Sequence, residues 1–191
     1  MAETHIARRR TALDDAPLAF GAAASPAFVM QAAPVAVRFL LRMAPPPALV
    51  AGFDLSMALN RMTLNGALLA IRPGPDEFWL IAPEGTLTAA QIEADLGGNW
   101  HALVDISHRN AGLDVSGTAV CDVLNAGCAL DLHDSAFPVG MATRTLLGKA
   151  EVLLLRLDET RFRLECGRSF APYARDFLAE AAREWGRVQM P

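Results

Sequence analysis

A short, turn-rich segment between two apolar runs is the feature that most limits what this chain can fold into. Residues 67–71 and 77–82 are largely apolar, and the sequence RPGPD stands between them. Proline and glycine supply the backbone angles that tight turns need. Two runs of strand length joined by so short a turn pair as an antiparallel hairpin. The sequence therefore predicts antiparallel sheet as its main structure.

The rest of the chain repeats this plan of strands with an occasional helix. Thr88 and Gln91 form a capping box before a helix that Gly97 ends. A second long helix, over about 171–185, shows an apolar stripe at helical spacing. Gly127 is predicted to end a short helix in a left-handed conformation. Further strands are predicted over residues 35–43, 102–106, 112–115, 143–147, 151–157 and 161–166.

This order of elements predicts an α+β fold made of two halves, each an antiparallel sheet with a helix on one face. The halves are expected at about 34–100 and 101–191, within one domain that spans 34–191. Residues 1–33 are rich in Ala, Arg and Pro, and their larger apolar residues are scattered. They are predicted to form an N-terminal arm that is disordered alone or ordered only by a partner.

Composition excludes several classes of protein. Seventeen Lys and Arg against 21 Asp and Glu give a net charge of −4, which argues against a nucleic-acid partner. The most apolar run, 35–43, is interrupted by Arg38 and Arg42, so no membrane span is expected. Three cysteines without a signal-like segment indicate reduced thiols and a cytoplasmic location.

The sequence also lacks the usual motifs of catalysis and cofactor binding. It contains no dinucleotide-binding glycine motif, no P-loop and no zinc-like spacing of His and Cys. Asp105, Ser107 and His108 do not suit a catalytic triad, because neighbouring residues of a strand point to opposite faces. Cys166 shares the buried face of its strand. No catalytic residue, no metal ligand and no cofactor held by this chain alone are therefore predicted.

Four basic residues are the candidates for an anion-binding or interface site: His108, Arg109, Arg144 and Lys149. His108 and Arg109 end a short apolar strand, where polar groups often reach a ligand or a partner. A hydrogen-bonded pair that anchors the following turn is the alternative. Lys149 lies in a hairpin turn and is equally well explained by solvation.

Several segments taken in order resemble one known family, the gamma subunit of heterotetrameric sarcosine oxidase. The resemblance covers roughly residues 64–185 and rests on GPDEFWL at 74–80, VDISHR at 104–109, GCALDLH at 127–133, FPVG at 137–140, RTLLGK at 144–149 and RSF at 168–170.

This resemblance implies a fold similar to the folate-binding domain of the glycine-cleavage T-protein, an aminomethyltransferase. It implies assembly with alpha, beta and delta subunits into a complex that oxidises sarcosine to glycine and hydrogen peroxide and passes the one-carbon unit to tetrahydrofolate. In this family FAD, FMN and NAD belong to the larger subunits and zinc to the delta subunit. The acidic residue that engages the folate pterin in the T-protein fold has no counterpart that we can place in this sequence.

Three functional hypotheses follow. The first is a non-catalytic structural subunit that buries apolar surface against larger neighbours. The second is a module that binds folate or a flavin phosphate, with His108, Arg109, Arg144 and Lys149 supplying positive charge. The third is the equivalent subunit of a complex that acts on another N-methyl amino acid, such as N-methylglutamate.

Overall fold

The computed structural model describes residues 12–13, 17–22 and 24–188, and it consists mainly of antiparallel strands. In chain order the strands are β1 (Leu18–Ala22), β2 (Ser25–Ala32), β3 (Ala36–Arg42), β4 (Leu49–Val50), β5 (Phe53–Asp54), β6 (Arg61–Asn65), β7 (Leu68–Gly74), β8 (Glu77–Pro83), β9 (Ala102–Asp105), β10 (Asn110–Ser116), β11 (Ala142–Leu147), β12 (Ala150–Asp158), β13 (Arg161–Gly167) and β14 (Arg187–Val188).

Three α-helices accompany the strands: α1 (Ala89–Leu96), α2 (Val120–Asn125) and α3 (Ala171–Ala181). The capping box predicted before α1 is present, with Thr88 and Gln91 exchanging hydrogen bonds. A 3₁₀ turn, Arg168–Phe170, precedes α3, and another, Ala182–Trp185, follows it. Within the residues covered by the structure, no helix is long and apolar enough to cross a membrane.

The strands form two main sheets and a small two-stranded ribbon. The larger sheet has seven strands in the order β11-β12-β13-β10-β2-β1-β14, and the smaller has five in the order β6-β7-β8-β3-β9. The predicted hairpin is present as β7 and β8, with Ile71 opposite Trp79. The α+β class predicted from the sequence is confirmed.

The two sheets pack face to face, and each is covered by helices on its outer face. Residues of β7 and β8, including Ile71 and Ile81, meet Leu153 and Leu155 of β12 between the sheets. On the outside of the larger sheet, α2 and α3 bury Val123, Leu178 and their neighbours. On the outside of the smaller sheet, α1 buries Ile92 and Leu96. Burial of each such side chain stabilises the fold by about 1.5–3 kcal/mol.

The N-terminal boundary expected from the sequence differs from the structure. Residues 18–22 and 25–32, assigned above to an arm, are strands β1 and β2 of the larger sheet. Phe20, Phe28 and Met30 are buried in its core, and the two phenylalanine rings lie 6.2 Å apart. Ala and Pro between these residues weaken the alternating pattern that would have indicated strands. Residues 1–11 of the expected arm lie outside the described part of the chain.

The two expected halves also exchange strands. β2 precedes residue 34 but pairs with β10, and its Met30 lies opposite Val115. β9 follows residue 101 but pairs with β3 in the smaller sheet, where Val104 lies opposite Leu40. Each sheet is therefore completed by a strand from outside the segment that builds most of it.

Candidate functional site

A buried ion pair joins the two sheets beneath the candidate site. Arg38 on β3 donates from Nε to Glu165 Oε2 on β13 at 2.7 Å and from Nη2 to Oε1 at 3.2 Å. Arg38 is 3% exposed and Glu165 1%. The alternation of apolar and charged residues over 35–43 predicts a half-buried strand with Arg38 and Arg42 together on its solvent-facing side. Arg42 is indeed exposed, but a second sheet covers the face of β3 where Arg38 lies.

A second charged contact links the sheets at Arg144. Its guanidinium on β11 donates to both carboxylate oxygens of Glu77 on β8, and Trp79 Nε1 donates to Glu77 Oε1 at 3.0 Å. Burial alone would raise the pKa of Glu77, but the hydrogen bonds from Arg144 and Trp79 outweigh it and hold that pKa below its usual value. Arg144 is therefore already neutralised within the chain.

The segment from Asp105 to Arg109 forms a tight turn after β9. Ser107 is 4% exposed, and its Oγ accepts a hydrogen bond from Arg38 N at 2.9 Å. The backbone N–H of Ser107 donates to Asp105 Oδ1 at 2.8 Å. His108 and Arg109 are exposed at the top of this turn. The Asp105 and Ser107 side chains thus fasten the end of β9 to β3.

Arg109 and Arg144 line one cleft of about 180 Å³, to which both sheets contribute, Leu40 and Trp79 coming from the smaller one. Asn110, Glu151, Glu165 and Phe170 contribute to the same cleft. Within the described part of the chain, Asn110 Oδ1 is buried there without a hydrogen-bond donor. Arg109 has no ion pair or side-chain hydrogen bond among the described residues, so it is the cleft's unneutralised cation. Two carboxylates in the lining, Glu151 and Glu165, oppose the binding of an anion.

Lys149 lies elsewhere, in the turn between β11 and β12. Its backbone N–H donates to the Tyr173 hydroxyl on α3 at 3.1 Å. Gly148 before it has φ of 58°, and a Cβ at this position would lie 2.3 Å from the same hydroxyl. The LLGK sequence is thus explained by close packing of the turn against α3. Neither His108 nor Lys149 lines the cleft, so the four candidates do not converge on one point.

The surroundings of Cys166 and Cys121 keep these thiols in the neutral form. Cys166 is 3% exposed, and burial together with the neighbouring Glu165 carboxylate raises its pKa to about 11. Burial likewise raises the pKa of Cys121. A thiol held this far above neutral pH is a poor nucleophile. Within the described part of the chain, no group of three or more His, Cys, Asp and Glu residues could hold a metal ion.

Sequence reasoning missed a second buried cation, Arg156 on β12. Its guanidinium donates to the carbonyls of Leu132, Phe137 and Glu159 at 3.1, 2.8 and 2.7 Å and pairs with Asp134. It thereby organises the loop at 131–138, where the FPVG segment begins. The available signal was a single charged residue inside the apolar run at 152–157.

These observations test whether the cleft fits a folate or a flavin phosphate. Two of its charged residues, Arg144 and Glu165, are committed to partners in the other sheet, and only Arg109 remains to meet an anion. Of the two carboxylates that line the cleft, Glu165 is bound by Arg38 and Glu151 is exposed to solvent. The described residues do not form a convergent set for either ligand.

Comparison with known proteins gives a consistent result. The sarcosine oxidase gamma subunit family matches this chain over residues 20–184. The gamma subunit of sarcosine oxidase from Corynebacterium sp. (strain P-1) is 38% identical over 112 residues, which is 59% of this chain and 55% of that protein. The gamma subunit from Corynebacterium sp. (strain U-96) is 32% identical over 117 residues, or 61% and 57%. The aligned region spans about half the length of these curated relatives.

Two solved structures have similar folds. The heterotetrameric sarcosine oxidase from Corynebacterium sp. U-96, in complex with pyrrole 2-carboxylate, contains a chain that superposes with a TM-score of 0.80 at 25% identity, covering 90% of this chain and 91% of that one. The glycine cleavage aminomethyltransferase from Bartonella henselae superposes with a TM-score of 0.58 at 14% identity, covering 78% and 44%. The second likeness shows the fold alone and agrees with the resemblance to the T-protein.

Proposed function

This chain belongs to the sarcosine oxidase gamma subunit family, and we propose that it is the non-catalytic gamma subunit of a heterotetrameric sarcosine oxidase. The observation that carries the proposal is the superposition on a chain of that enzyme over nine-tenths of both chains. A match of this extent includes both sheets and the helices that cover them, so it describes the whole fold and not one motif.

The proposed complex oxidises sarcosine to glycine with formation of hydrogen peroxide and transfers the one-carbon unit to tetrahydrofolate. We assign FAD, FMN, NAD and zinc to the alpha, beta and delta subunits. The pairing of this chain's own charged groups with one another supports the assignment of the cofactors to the other subunits. Arg38, Arg144 and Arg156 each hold the fold together, and a group committed to such a contact is not available to act on a substrate.

Exposed apolar side chains support a role in assembly. The Trp100 indole is 97% exposed, and Leu146 and Phe170 are 56% and 48% exposed. Trp100 precedes β9 in a loop that His101 fixes, with Nε2 2.6 Å from Glu93 Oε2. Large exposed aromatic side chains such as those of Trp100 and Phe170 are favoured at protein interfaces. We place the partners as the alpha, beta and delta subunits, in the cytoplasm.

The test is co-expression of this chain, carrying an affinity tag, with the other three subunits from the same genome. We expect the tag to recover all four chains in equal amounts, and the complex to produce hydrogen peroxide from sarcosine. The tagged chain purified alone should produce none and retain no flavin absorbance. Oxidation of sarcosine by the lone chain would refute the non-catalytic role, and recovery of the lone chain from the co-expression would refute the assembly.

A second candidate function is an anion-binding module for folate or a flavin phosphate. The unneutralised Arg109 in the cleft favours it. Titration calorimetry of the chain with tetrahydrofolate and with FMN distinguishes it, because binding in the cleft would be lost in Arg109→Ala. Assaying the complex with sarcosine and with N-methylglutamate distinguishes a sarcosine oxidase from the related assembly that acts on N-methylglutamate.

A further inference from the structure

An apolar groove lies at the margin between the two sheets, away from the cleft of Arg109 and Arg144. Its volume is about 330 Å³, within the range of about 300–1,000 Å³ typical of binding clefts. The smaller sheet contributes Leu64, Leu69 and Ile81, and the larger sheet contributes Leu157 on β12. Two of the residues that line the groove are exposed to solvent: Leu64 is 57% exposed and Val35 is 40% exposed.

The charges along this groove have one sign. Arg161 and Arg163 of β13 are its charged lining residues, and no Asp or Glu lines it. Arg163 is neutralised by Asp114, with Nε 2.6 Å from Oδ1 and Nη2 3.0 Å from Oδ2. Arg161 differs, because among the described residues no ion pair or side-chain hydrogen bond engages it. Asp158 lies opposite Arg161 across the strands, but its carboxylate accepts from the backbone of Glu159 instead.

From this combination we infer that the groove docks an extended segment of another subunit in which apolar side chains lie next to a carboxylate. The apolar side chains fill the space between Leu64, Leu69 and Leu157. The carboxylate pairs with Arg161 at the rim, where the pairing is charge-assisted and partly shielded from water. A protein segment suits the site because it would cover the exposed Leu64 and Val35 side chains while it fills the space between the two sheets.

This inference rests on the proposed role as a subunit, and its test separates the two. Leu64 is replaced by the photoreactive p-benzoylphenylalanine in the tagged chain, which is then co-expressed with the alpha, beta and delta subunits, purified and irradiated. We expect a cross-link from position 64 to one of those subunits. Mass spectrometry should place it in a peptide with Asp, Glu or a chain terminus within a few residues of the labelled apolar side chain.

Charge variants in the same photoreactive background show whether Arg161 takes part. Arg161→Glu should lower the cross-linked fraction about tenfold, because it places a carboxylate against a carboxylate. Arg161→Lys, which keeps the charge, should retain most of the cross-link. Arg183→Glu makes the same charge change at an exposed residue outside the groove and should leave the cross-linked fraction unchanged.

Every other outcome contradicts either the proposed function or the docking proposal. If the four chains do not assemble even without the photoprobe, the proposed function fails. If they assemble and position 64 labels nothing, labels a small molecule or labels another copy of this chain, the docking proposal fails while the proposed function stands. An unchanged cross-link in Arg161→Glu, or a labelled peptide without a nearby carboxylate, likewise overturns the proposal.

Discussion

At the scale of single residues, Gly112 leaves room for the buried ion pair between Arg38 and Glu165. A Cβ at this position would lie 2.7 Å from Glu165 Oε1 and 2.8 Å from the Ala33 Cβ. The missing side chain on β10 therefore leaves the space in which Arg38 and Glu165 meet. Any larger residue at position 112 would have to displace a buried ion pair, and we see here a packing reason for glycine within a strand.

The Arg38–Glu165 pair leads to a prediction about stability. Glu165→Gln should destabilise the fold by about 3–5 kcal/mol, because removing one partner leaves the other charge buried and uncompensated. Urea unfolding monitored by circular dichroism measures the change. Glu180→Gln is the matched control: Glu180 pairs with Arg183 in solvent, both side chains being 71% exposed, and such pairs contribute about 0–1 kcal/mol. Equal stability of the two variants would contradict the assignment.

His101 leads to a prediction about pH. Its Nδ1 lies 2.7 Å from the Asn99 carbonyl oxygen and its Nε2 2.6 Å from Glu93 Oε2. Both partners are acceptors, so both ring nitrogens must carry a proton. The Asn99 carbonyl and the Glu93 carboxylate accordingly raise the pKa of His101 above its ordinary value of 6.5. This contact therefore stabilises the fold fully below pH 6.5 and loses its effect as the pH rises through the higher folded-state pKa.

Titration of the His101 ring by NMR measures that pKa directly. We expect a midpoint above 6.5, and a lower one in Glu93→Gln because the carboxylate is lost. A midpoint at or below 6.5 in the unaltered chain would show that the Asn99 carbonyl and the Glu93 carboxylate do not stabilise the protonated ring.

The residue scale also shows what the sequence could not reveal. The alternation in β3 correctly separates its two faces, but it cannot show that both faces are covered. Arg38 was therefore expected in solvent, although a second sheet and the Glu165 carboxylate lie against it. Gly127 was expected in a left-handed helix cap. Instead its backbone approaches α3, and a Cβ there would lie 2.5 Å from the Phe177 ring.

At the scale of elements, local patterns were reliable and distant pairings were not. The β7–β8 hairpin and the capping box of α1 depend on residues a few positions apart, and both are confirmed. β2 pairs with β1 just before it and with β10, which follows it by some eighty positions, and its own segment contains few strongly strand-forming residues. The sequence of 18–32 consequently indicated an arm, because neither the short β1–β2 hairpin nor the distant β10 is marked by a clear strand pattern in this segment.

The placement of β2 leads to a third prediction. Phe28→Ala should destabilise the fold by about 3–5 kcal/mol, the cost typical of removing a buried ring. Phe28 is fully buried beside Phe20. Gln31→Ala, on the exposed side of the same strand, is the control and should change the free energy of unfolding by about 0.5 kcal/mol or less. If residues 18–32 were an arm, both variants would unfold like the parent.

At the scale of the whole molecule, each sheet contains a strand from another part of the chain, and this joins the two halves into one cooperative unit. The smaller sheet needs β9, the larger sheet needs β2, and the Arg38–Glu165 and Glu77–Arg144 pairs cross between them. Loss of either sheet would expose the apolar surface of the other. The order of elements in the sequence suggested the halves, but it did not reveal that they share strands.

We therefore expect a single unfolding transition for the chain. Trp79 fluorescence reports on the contact between the sheets, where Trp79 packs in one cluster with Leu153 and Leu155, and far-ultraviolet circular dichroism reports on the secondary structure of the whole chain. With Trp100 and Trp185 replaced by Phe, the two signals should change at the same temperature, as two-state unfolding requires. Two separated midpoints would show that the halves unfold independently.

The long separation between β2 and β10 has a consequence for biosynthesis. About eighty residues must leave the ribosome after β2 before β10, its second neighbour in the sheet, emerges, and β1 waits still longer for β14. During that interval the nascent chain carries Phe20, Phe28 and Met30 without the core that buries them. We expect such a chain to need a holding chaperone while it is being translated.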